Sequence, residues 1–146
     1  MAVREDIQQT ILDAAPEDNV EFYHGYTYTA HPVACAAALA CLKIYRDEDM
    51  FARVRSLTPA FLDQIGAFKG VDGVIDTRGF GLLGAIELAP TGKPGARGFN
   101  VLRKAFEAGL VLRAAGDSIV LSPPFVATPD EITQMIEIIR KLIKET

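Results

Sequence analysis

Two short segments of this 146-residue chain carry side chains that could bind a small charged ligand. The first segment, His24–Pro32, offers two tyrosine and two threonine hydroxyls, among them those of Tyr26 and Thr27, directly before a predicted helix. The N–H groups at the start of a helix, together with its dipole, favour an anion. Hydroxyls in such a loop also often satisfy the loop's own backbone, so the residue types alone leave a structural role open.

The second segment, Leu112–Ser118, places Arg113 at the end of a predicted short strand, before a glycine turn that contains Asp117. The planar guanidinium of an arginine can bind a carboxylate through two parallel hydrogen bonds. An exposed arginine also commonly pairs with a nearby acid, which here is Asp117. Carboxylate binding and a local ion pair are therefore both open for Arg113.

Other kinds of site are not predicted from the sequence. Gly79–Gly84 has the letter pattern of a dinucleotide-binding loop, but it opens a predicted strand instead of a helix, and Arg103 and Lys104 lie where an acid is needed. We interpret these glycines as allowing a tight connection between strands. The two histidines, His24 and His31, belong to no Cys-x-x-Cys or His-Glu-x-x-His motif, so no metal site is expected.

The composition is that of an acidic globular chain, with 15 Lys and Arg against 19 Asp and Glu and with 49% hydrophobic residues. The negative balance and the scattered basic residues argue against nucleic acid or an anionic membrane as the main partner. No apolar run approaches the roughly 20 residues of a membrane helix, and the start of the chain lacks a signal-peptide core. Cys35 and Cys41 are poorly placed to bridge each other on a helix. We therefore predict a soluble, cytoplasmic protein.

Hydrophobic spacing and breaker residues predict an α+β chain. The charged residues 46–49 mark the expected boundary between an upstream part, 1–48, and a downstream domain, 49–146, in which helices cover a small mixed or antiparallel sheet. The last helix has the clearest start, because Thr128 can cap it and Pro129 suits its first position. Helices are predicted near residues 7–12, 33–45, 50–68 (bent or divided by Pro59), 100–108 and from 129 onward, and strands at 71–76, 82–88, 110–113 and 118–121.

Three segments, taken in order, resemble the C-terminal third of class III aminotransferases, the pyridoxal-phosphate enzymes that include ω-amino acid:pyruvate and 4-aminobutyrate transaminases. They are residues 24–39 (HGYTYTAHPVACAAAL), 76–88 (DTRGFGLLGAIEL) and 109–124 (GLVLRAAGDSIVLSPP). Each is weak alone, but three in the family's order make a specific match that covers essentially the whole chain. The RAAGD form of the third segment is most similar to the ω-amino acid:pyruvate branch.

The resemblance implies a fold type I dimer, in which this chain supplies the end of the large cofactor-binding domain with its connecting helix (1–48) and the small C-terminal domain (49–146). It implies that Thr27 binds the phosphate of pyridoxal 5′-phosphate in the other subunit, and that Tyr26 lines the cofactor and substrate site there. It also implies that Arg113 moves to bind a substrate carboxylate and withdraws for an uncharged group. The residue types agree with these roles, since hydroxyls at a helix start suit phosphate and a guanidinium suits carboxylate.

One part of the family's site is missing from the sequence. The Schiff-base lysine and the acid on the pyridine nitrogen lie upstream of the segment that matches residues 24–39, where this chain has residues 1–23 and no lysine. The six lysines, at positions 43, 69, 93, 104, 141 and 144, match no catalytic motif. We therefore assign no catalytic residue within the chain.

The sequence thus predicts the C-terminal part of a transaminase that moves an amino group from an ω-amino acid or amine to a 2-oxo acid such as pyruvate. We expect this chain to be inactive alone and to act as a homodimer or with a complementing N-terminal part. The alternative is a non-catalytic interaction or regulatory module that retains the fold of the transaminase small domain.

Overall fold

The computed structural model describes residues 3–17, 27 and 29–146. The chain forms two compact units, residues 1–40 and 41–146. The first unit contains helix α1 (Glu5–Asp13), whose first turn carries the acidic residues Glu5 and Asp6. Their charge is favourable there, because the N-terminal end of a helix is the positive end of its dipole. The predicted domain boundary between residues 48 and 49 stays a prediction.

Helix α2 (Pro32–Asp47) runs from the first unit into the second. It begins at Pro32, which suits this position because the first turn of a helix makes no use of the N–H that proline lacks. None of its side chains is buried among the described residues, and Val33 and Leu39 are 71% and 68% exposed. The apolar surface of α2 therefore adds little to the core of either unit. In the part of the chain that the structure describes, no helix is long and apolar enough to cross a bilayer.

The second unit is an α+β domain whose elements are α3 (Met50–Gly66), β1 (Val74–Phe80), β2 (Leu83–Leu88), α4 (Ala96–Glu107), β3 (Arg113–Ala115), β4 (Ser118–Leu121) and α5 (Pro129–Lys144). The strands form one sheet in the order β1-β2-β4-β3, and every neighbouring pair is antiparallel. The predicted α+β fold class with a small, covered sheet is confirmed.

The core of the second unit lies between the three helices and one face of the sheet. Alternate residues of β2 and β4 are buried on this face, among them Ile86 and Ile119, which stand opposite each other in the ladder. Helix α5 adds a stripe of five buried residues: Ile132, Ile136, Ile139, Leu142 and Ile143. Full burial of a large apolar side chain stabilises a fold by about 1.5–3 kcal/mol, so these buried side chains contribute strongly to the stability of the second unit.

Several element boundaries differ from the prediction. The strand expected at 71–76 runs instead from Val74 to Phe80, because Gly73 turns the chain first (φ 75°) and residues 77–80 pair with β2. The strand expected at 110–113 begins only at Arg113, where pairing with β4 starts. Helix α4 begins at Ala96 instead of near residue 100. Helix α3 continues through Pro59, whose position on the exposed side lets the unpaired carbonyl one turn earlier meet water.

The glycines between residues 79 and 84 serve a turn and close packing, in line with the predicted tight connection between strands, and the segment is a β-hairpin. A Cβ at Gly84 would lie 2.9 Å from the Ile65 side chain, and one at Gly79 would lie 2.7 Å from Leu62, so α3 rests directly on the hairpin. Gly81 has a φ of 58°, which favours glycine in a tight turn. The letter pattern of a nucleotide loop therefore has a packing explanation here.

Candidate functional site

Thr27 lies in an exposed turn shortly before α2. Thr29 and Ala30 also lie in a turn, and Ala30 has a φ of 59°, a conformation that few side chains favour. Between Thr27 and the first residue of α2 the sequence has no acidic side chain that would repel an anion. The two threonine hydroxyls can therefore donate hydrogen bonds outward to a phosphate. Tyr26, the other predicted cofactor-site residue, lies outside the described residues.

The start of α2 adds backbone donors to this segment. The carbonyl of His31 accepts a helical hydrogen bond from the Cys35 N–H at 2.9 Å, and Pro32 has no N–H, so the first-turn N–H groups without a partner within the helix are those of Val33 and Ala34. Threonine hydroxyls and free N–H groups are the donor set that a phosphate requires, so the chemistry of this segment fits the phosphate of pyridoxal phosphate. In the described ranges, no three His, Cys, Asp or Glu side chains group as ligands for a metal ion.

Arg113 opens β3, at the outer edge of the sheet, and pairs with Val120 of β4. The register continues from Val120 to Ala85 and from Ala85 to Arg78, so these four residues form one row across the sheet. Residues opposite one another in a ladder point to the same face. Because Ile86 and Ile119 point into the core, this row lies on the face that the helices do not cover, with one exposed arginine at each end.

The two arginines of this row differ in their partners. The Arg78 guanidinium donates to Glu87 at 2.7 Å and to Asp76 at 3.0 Å, and these carboxylates, Glu87 foremost, raise the pKa of Arg78. Within the described residues Arg113 forms no ion pair. The charge of Arg78 is thus matched within the chain, whereas that of Arg113 is available to a ligand.

An open groove of about 550 Å³ lies beside Arg113 at the end of the sheet. Arg113 is its only charged lining residue among those described, and the rest of the lining is almost entirely apolar: Leu83, Leu110, Val111, Leu112, Val120, Leu121, Ser122, Pro123, Pro124 and Met135. A groove with one cation and hydrocarbon walls suits a molecule that carries a carboxylate on an apolar chain.

The loop that carries the two prolines of this groove is held in place by Arg53 of α3. The Arg53 guanidinium donates to the carbonyls of Phe125 (2.9 Å), Val126 (3.2 Å) and Ala127 (2.8 Å). A charged donor shared among three consecutive carbonyls restrains the whole backbone of the loop. One wall of the groove is therefore fixed to α3 before any ligand binds.

Asp117 does not pair with Arg113, although the sequence leaves that ion pair open. One carboxylate oxygen of Asp117 accepts the Gly95 N–H at 2.7 Å, and the other accepts the Gly98 N–H at 3.0 Å. These N–H groups, Gly95 foremost, hold the pKa of Asp117 below its ordinary value. This contact was not predicted from the sequence. The one sequence feature that points to it is an aspartate directly after Gly116, together with Gly95 and Gly98 around the start of a helix.

Two carboxylates whose pKa is lowered by hydrogen bonds, those of Asp117 and Glu131, make the stability of the second unit sensitive to acid. Backbone N–H groups lower the pKa of Asp117 from 3.8, and the N–H and hydroxyl of Thr128 lower the pKa of Glu131 from 4.5. Each carboxylate therefore stabilises the fold fully above its unfolded-state pKa, and this contribution is lost as the pH falls through the lower folded-state pKa. We expect the free energy of unfolding, measured with urea, to decrease from roughly pH 5 downward.

The variants Asp117→Asn and Glu131→Gln test the origin of this decrease of the unfolding free energy with falling pH. Each removes one titrating carboxylate whose pKa is lowered on folding, so each should flatten the fall of the unfolding free energy with acid. A double variant with the same pH slope as the natural chain would contradict the assignment.

Known proteins match this chain along almost its whole length. The family model described as Aminotransferase class-III matches residues 1–143. An omega-aminotransferase of Caulobacter vibrioides is 42% identical over 138 residues, which cover 94% of this chain and 31% of that protein. A beta-alanine–pyruvate aminotransferase of Pseudomonas aeruginosa is 40% identical over 134 residues, which cover 90% of this chain and 30% of that protein.

Solved structures show the same fold. A thermostable omega transaminase of Pseudomonas jessenii, a six-fold mutant, matches with a TM-score of 0.76 and 29% identity, over 85% of this chain and 29% of that one. An adenosylmethionine-8-amino-7-oxononanoate aminotransferase of Methanocaldococcus jannaschii matches with a TM-score of 0.74 and 32% identity, over 86% of this chain and 30% of that one. The chain spans less than a third of the length of these relatives.

Proposed function

Because the chain belongs to the class III aminotransferase family, we propose that it forms the C-terminal part of a transaminase of the ω-amino acid:pyruvate type. Bound pyridoxal 5′-phosphate supplies the electron sink that lets an amino group leave a donor and join a 2-oxo acid such as pyruvate. The lysine that holds this cofactor belongs to sequence outside these 146 residues. This assignment is supported by the lysines of the chain, none of which precedes residue 43.

In this proposal the segment before α2 serves the cofactor of a second subunit. The hydroxyl of Thr27 donates a hydrogen bond to a phosphate oxygen, with Tyr26 beside it at the edge of the substrate site. The exposure of Thr27 and the free N–H groups at the start of α2 support this role. The active assembly is a homodimer or a complex with a complementing N-terminal part. We place it in the cytoplasm, where the exposed free thiols of Cys35 and Cys41 fit a reducing compartment.

The observation that carries the proposal is the available charge of Arg113 beside an apolar groove. An ω-amino acid or a 2-oxo acid places its carboxylate on the guanidinium, while its hydrocarbon part lies against the groove walls. For an amine without a carboxylate, the exposed side chain of Arg113 can swing into solvent, since no described acid holds it in place. This chain therefore binds and orients the substrate end that does not react.

The proposal is tested by grafting the chain into a relative. The graft is the Caulobacter vibrioides omega-aminotransferase in which the matching segment is replaced by this chain, and we expect it to transaminate an ω-amino acid with pyruvate. Borohydride reduction with pyridoxal phosphate should trap the cofactor on a lysine of the relative's own part of the graft. The isolated 146-residue chain should show only weak, scattered labelling of its six lysines.

Two results would contradict the proposal. Stoichiometric trapping of the cofactor on one lysine of the isolated chain would show that the chain carries its own cofactor lysine. A graft that folds and binds the cofactor but transfers no amino group, together with a well-folded monomeric chain, would favour the alternative of a non-catalytic module.

A further inference from the structure

The position of Arg113 depends on very little of the sheet itself. Strand β3 has three residues and forms the outer edge of the sheet, where, among the described residues, it pairs only with β4. Val111, two residues before Arg113, is 82% exposed, whereas Leu112 and Ala114 on either side of Arg113 pack against the core. The place of Arg113 is therefore set by these two flanking contacts together with the turn that joins β3 to β4, formed by Gly116 and Asp117.

Asp117 ties this turn to two other elements. Its two carboxylate oxygens accept the N–H groups of Gly95 (2.7 Å) and Gly98 (3.0 Å) at the start of α4. Its main-chain carbonyl accepts the N–H of Leu88, the last residue of β2, at 3.0 Å. Hydrogen bonds to a charged acceptor are about twice as strong as neutral ones, so the side chain of Asp117 is the strongest link between the turn and α4.

The turn also lies directly on the backbone of α4. A Cβ at Gly98 would overlap the carbonyl oxygen of Gly116 and would lie 3.0 Å from the Cα of Asp117. The Cα of Gly116 lies 3.6 Å from the place of a Cβ on Gly95. Because the two backbones are in direct contact at these glycines, the turn and the start of α4 cannot move toward each other.

The start of α4 is in turn fixed to the core by Arg97, which lies between the two glycines and is 7% exposed. Its guanidinium donates to the carbonyls of Gly73 (2.9 Å), Ala89 (3.1 Å) and Ile143 (3.3 Å). These carbonyls precede β1, follow β2 and lie in α5. A continuous set of contacts thus runs from the core through α4 and Asp117 to the strand that begins with Arg113.

We propose that Asp117 is a positioning residue for carboxylate recognition: by clamping the β3–β4 turn to α4, it holds the backbone of Arg113 still while the guanidinium reaches for the substrate. This inference rests on the proposed role of Arg113. When the backbone is fixed, the guanidinium can move only by rotation of the Arg113 side chain. Less conformational entropy is therefore lost when a carboxylate binds. The variant Asp117→Asn keeps one neutral acceptor in place of two charged ones, so both charged hydrogen bonds are lost and the turn gains freedom.

The test measures half-reactions of the graft with two amino donors, using the absorbance of the cofactor. One donor carries a carboxylate (β-alanine) and the other does not (1-phenylethylamine). We expect Asp117→Asn to raise the half-saturating concentration of β-alanine about fivefold, with the maximal rate and the values for 1-phenylethylamine nearly unchanged. Glu131→Gln is the matched control, because Glu131 is also a carboxylate that caps a helix start. It should cost similar stability and leave both donors unaffected.

Each outcome has one meaning. Equal losses for both donors with Asp117→Asn, or no loss for either, would overturn the positioning role. If Arg113→Ala lowers the reaction with both donors equally, the proposed role of Arg113 in binding carboxylates is wrong. The positioning role of Asp117 is then wrong as well, because it depends on that role. If Asp117→Asn does not fold, Asp117→Glu keeps both acceptors but displaces the turn by one methylene, and it should show the same selective effect on β-alanine.

Discussion

Replacing Arg113 with alanine in the graft should lower kcat/KM for a carboxylate-bearing donor by about tenfold to a hundredfold, while an uncharged amine changes by less than about threefold. A hydrogen bond to a charged group contributes about 1.5–3 kcal/mol, and a bidentate guanidinium–carboxylate contact is at the upper end of this range. The loss falls on one donor because only that donor has a partner for the guanidinium. Half-reactions with β-alanine and 1-phenylethylamine measure the two effects separately.

Arg78→Ala is the matched control for this prediction. Arg78 is also exposed and lies at the other end of the same cross-sheet row, but its guanidinium is held by Glu87 and Asp76. It should therefore leave the ratio of the two donors unchanged. Equal losses for both donors with Arg113→Ala, or a selective loss with Arg78→Ala, would remove Arg113 from the proposed substrate site.

Replacing Gly98 with alanine should lower the free energy of unfolding of the chain by about 2–4 kcal/mol. The new Cβ would overlap the carbonyl oxygen of Gly116, which belongs to the backbone and cannot rotate away as a side chain would. The turn must then separate from α4, which also weakens the hydrogen bonds from Gly95 and Gly98 to Asp117. Urea unfolding of the 146-residue chain, followed by circular dichroism, measures the loss.

Gly66→Ala provides the control of opposite sign. Gly66 ends α3, has no positive φ, and a Cβ there would meet nothing within 4 Å. Alanine should therefore raise the free energy of unfolding by up to about 1 kcal/mol, because it restricts the unfolded chain more than glycine does. If both variants changed stability by the same amount and in the same direction, the contact between Gly98 and Gly116 would not explain the effect.

Local chemistry explains which elements could be predicted from the sequence. The start of α5 depends on residues close together in the chain, and it forms the predicted capping box: the Glu131 N–H donates to the Thr128 hydroxyl at 3.2 Å, and the Thr128 N–H donates to Glu131 at 2.8 Å. The far end of β1 depends instead on pairing with β2, so residues 77–80, which include an arginine and a glycine, carry no strand pattern of their own. Strand limits are set by the partner strand as much as by the strand's own residues.

The candidate site likewise contains residues that could be predicted from the sequence and a contact that could not. The guanidinium of Arg113 and the hydroxyl of Thr27 could be singled out from residue type and position, and their roles stay predictions. The contact of Asp117 with Gly95 and Gly98 joins residues 22 and 19 positions apart, and only the folded chain brings them together. An acid four residues after an arginine, across a short turn, suggests an ion pair. The structure shows that the acid is instead used by the start of α4.

Both outer strands of the sheet also bear on self-association. An unpaired strand edge is a template on which a second chain can add a strand, and proteins guard such edges with short strands, charges and irregularities. Here β3 is only three residues long and begins with Arg113, while β1 has a shift in its register near Val74 and carries Arg78. The arginine that we assign to substrate carboxylates thus also protects one edge of the sheet from intermolecular β-pairing, so this position is constrained by solubility as well as by recognition.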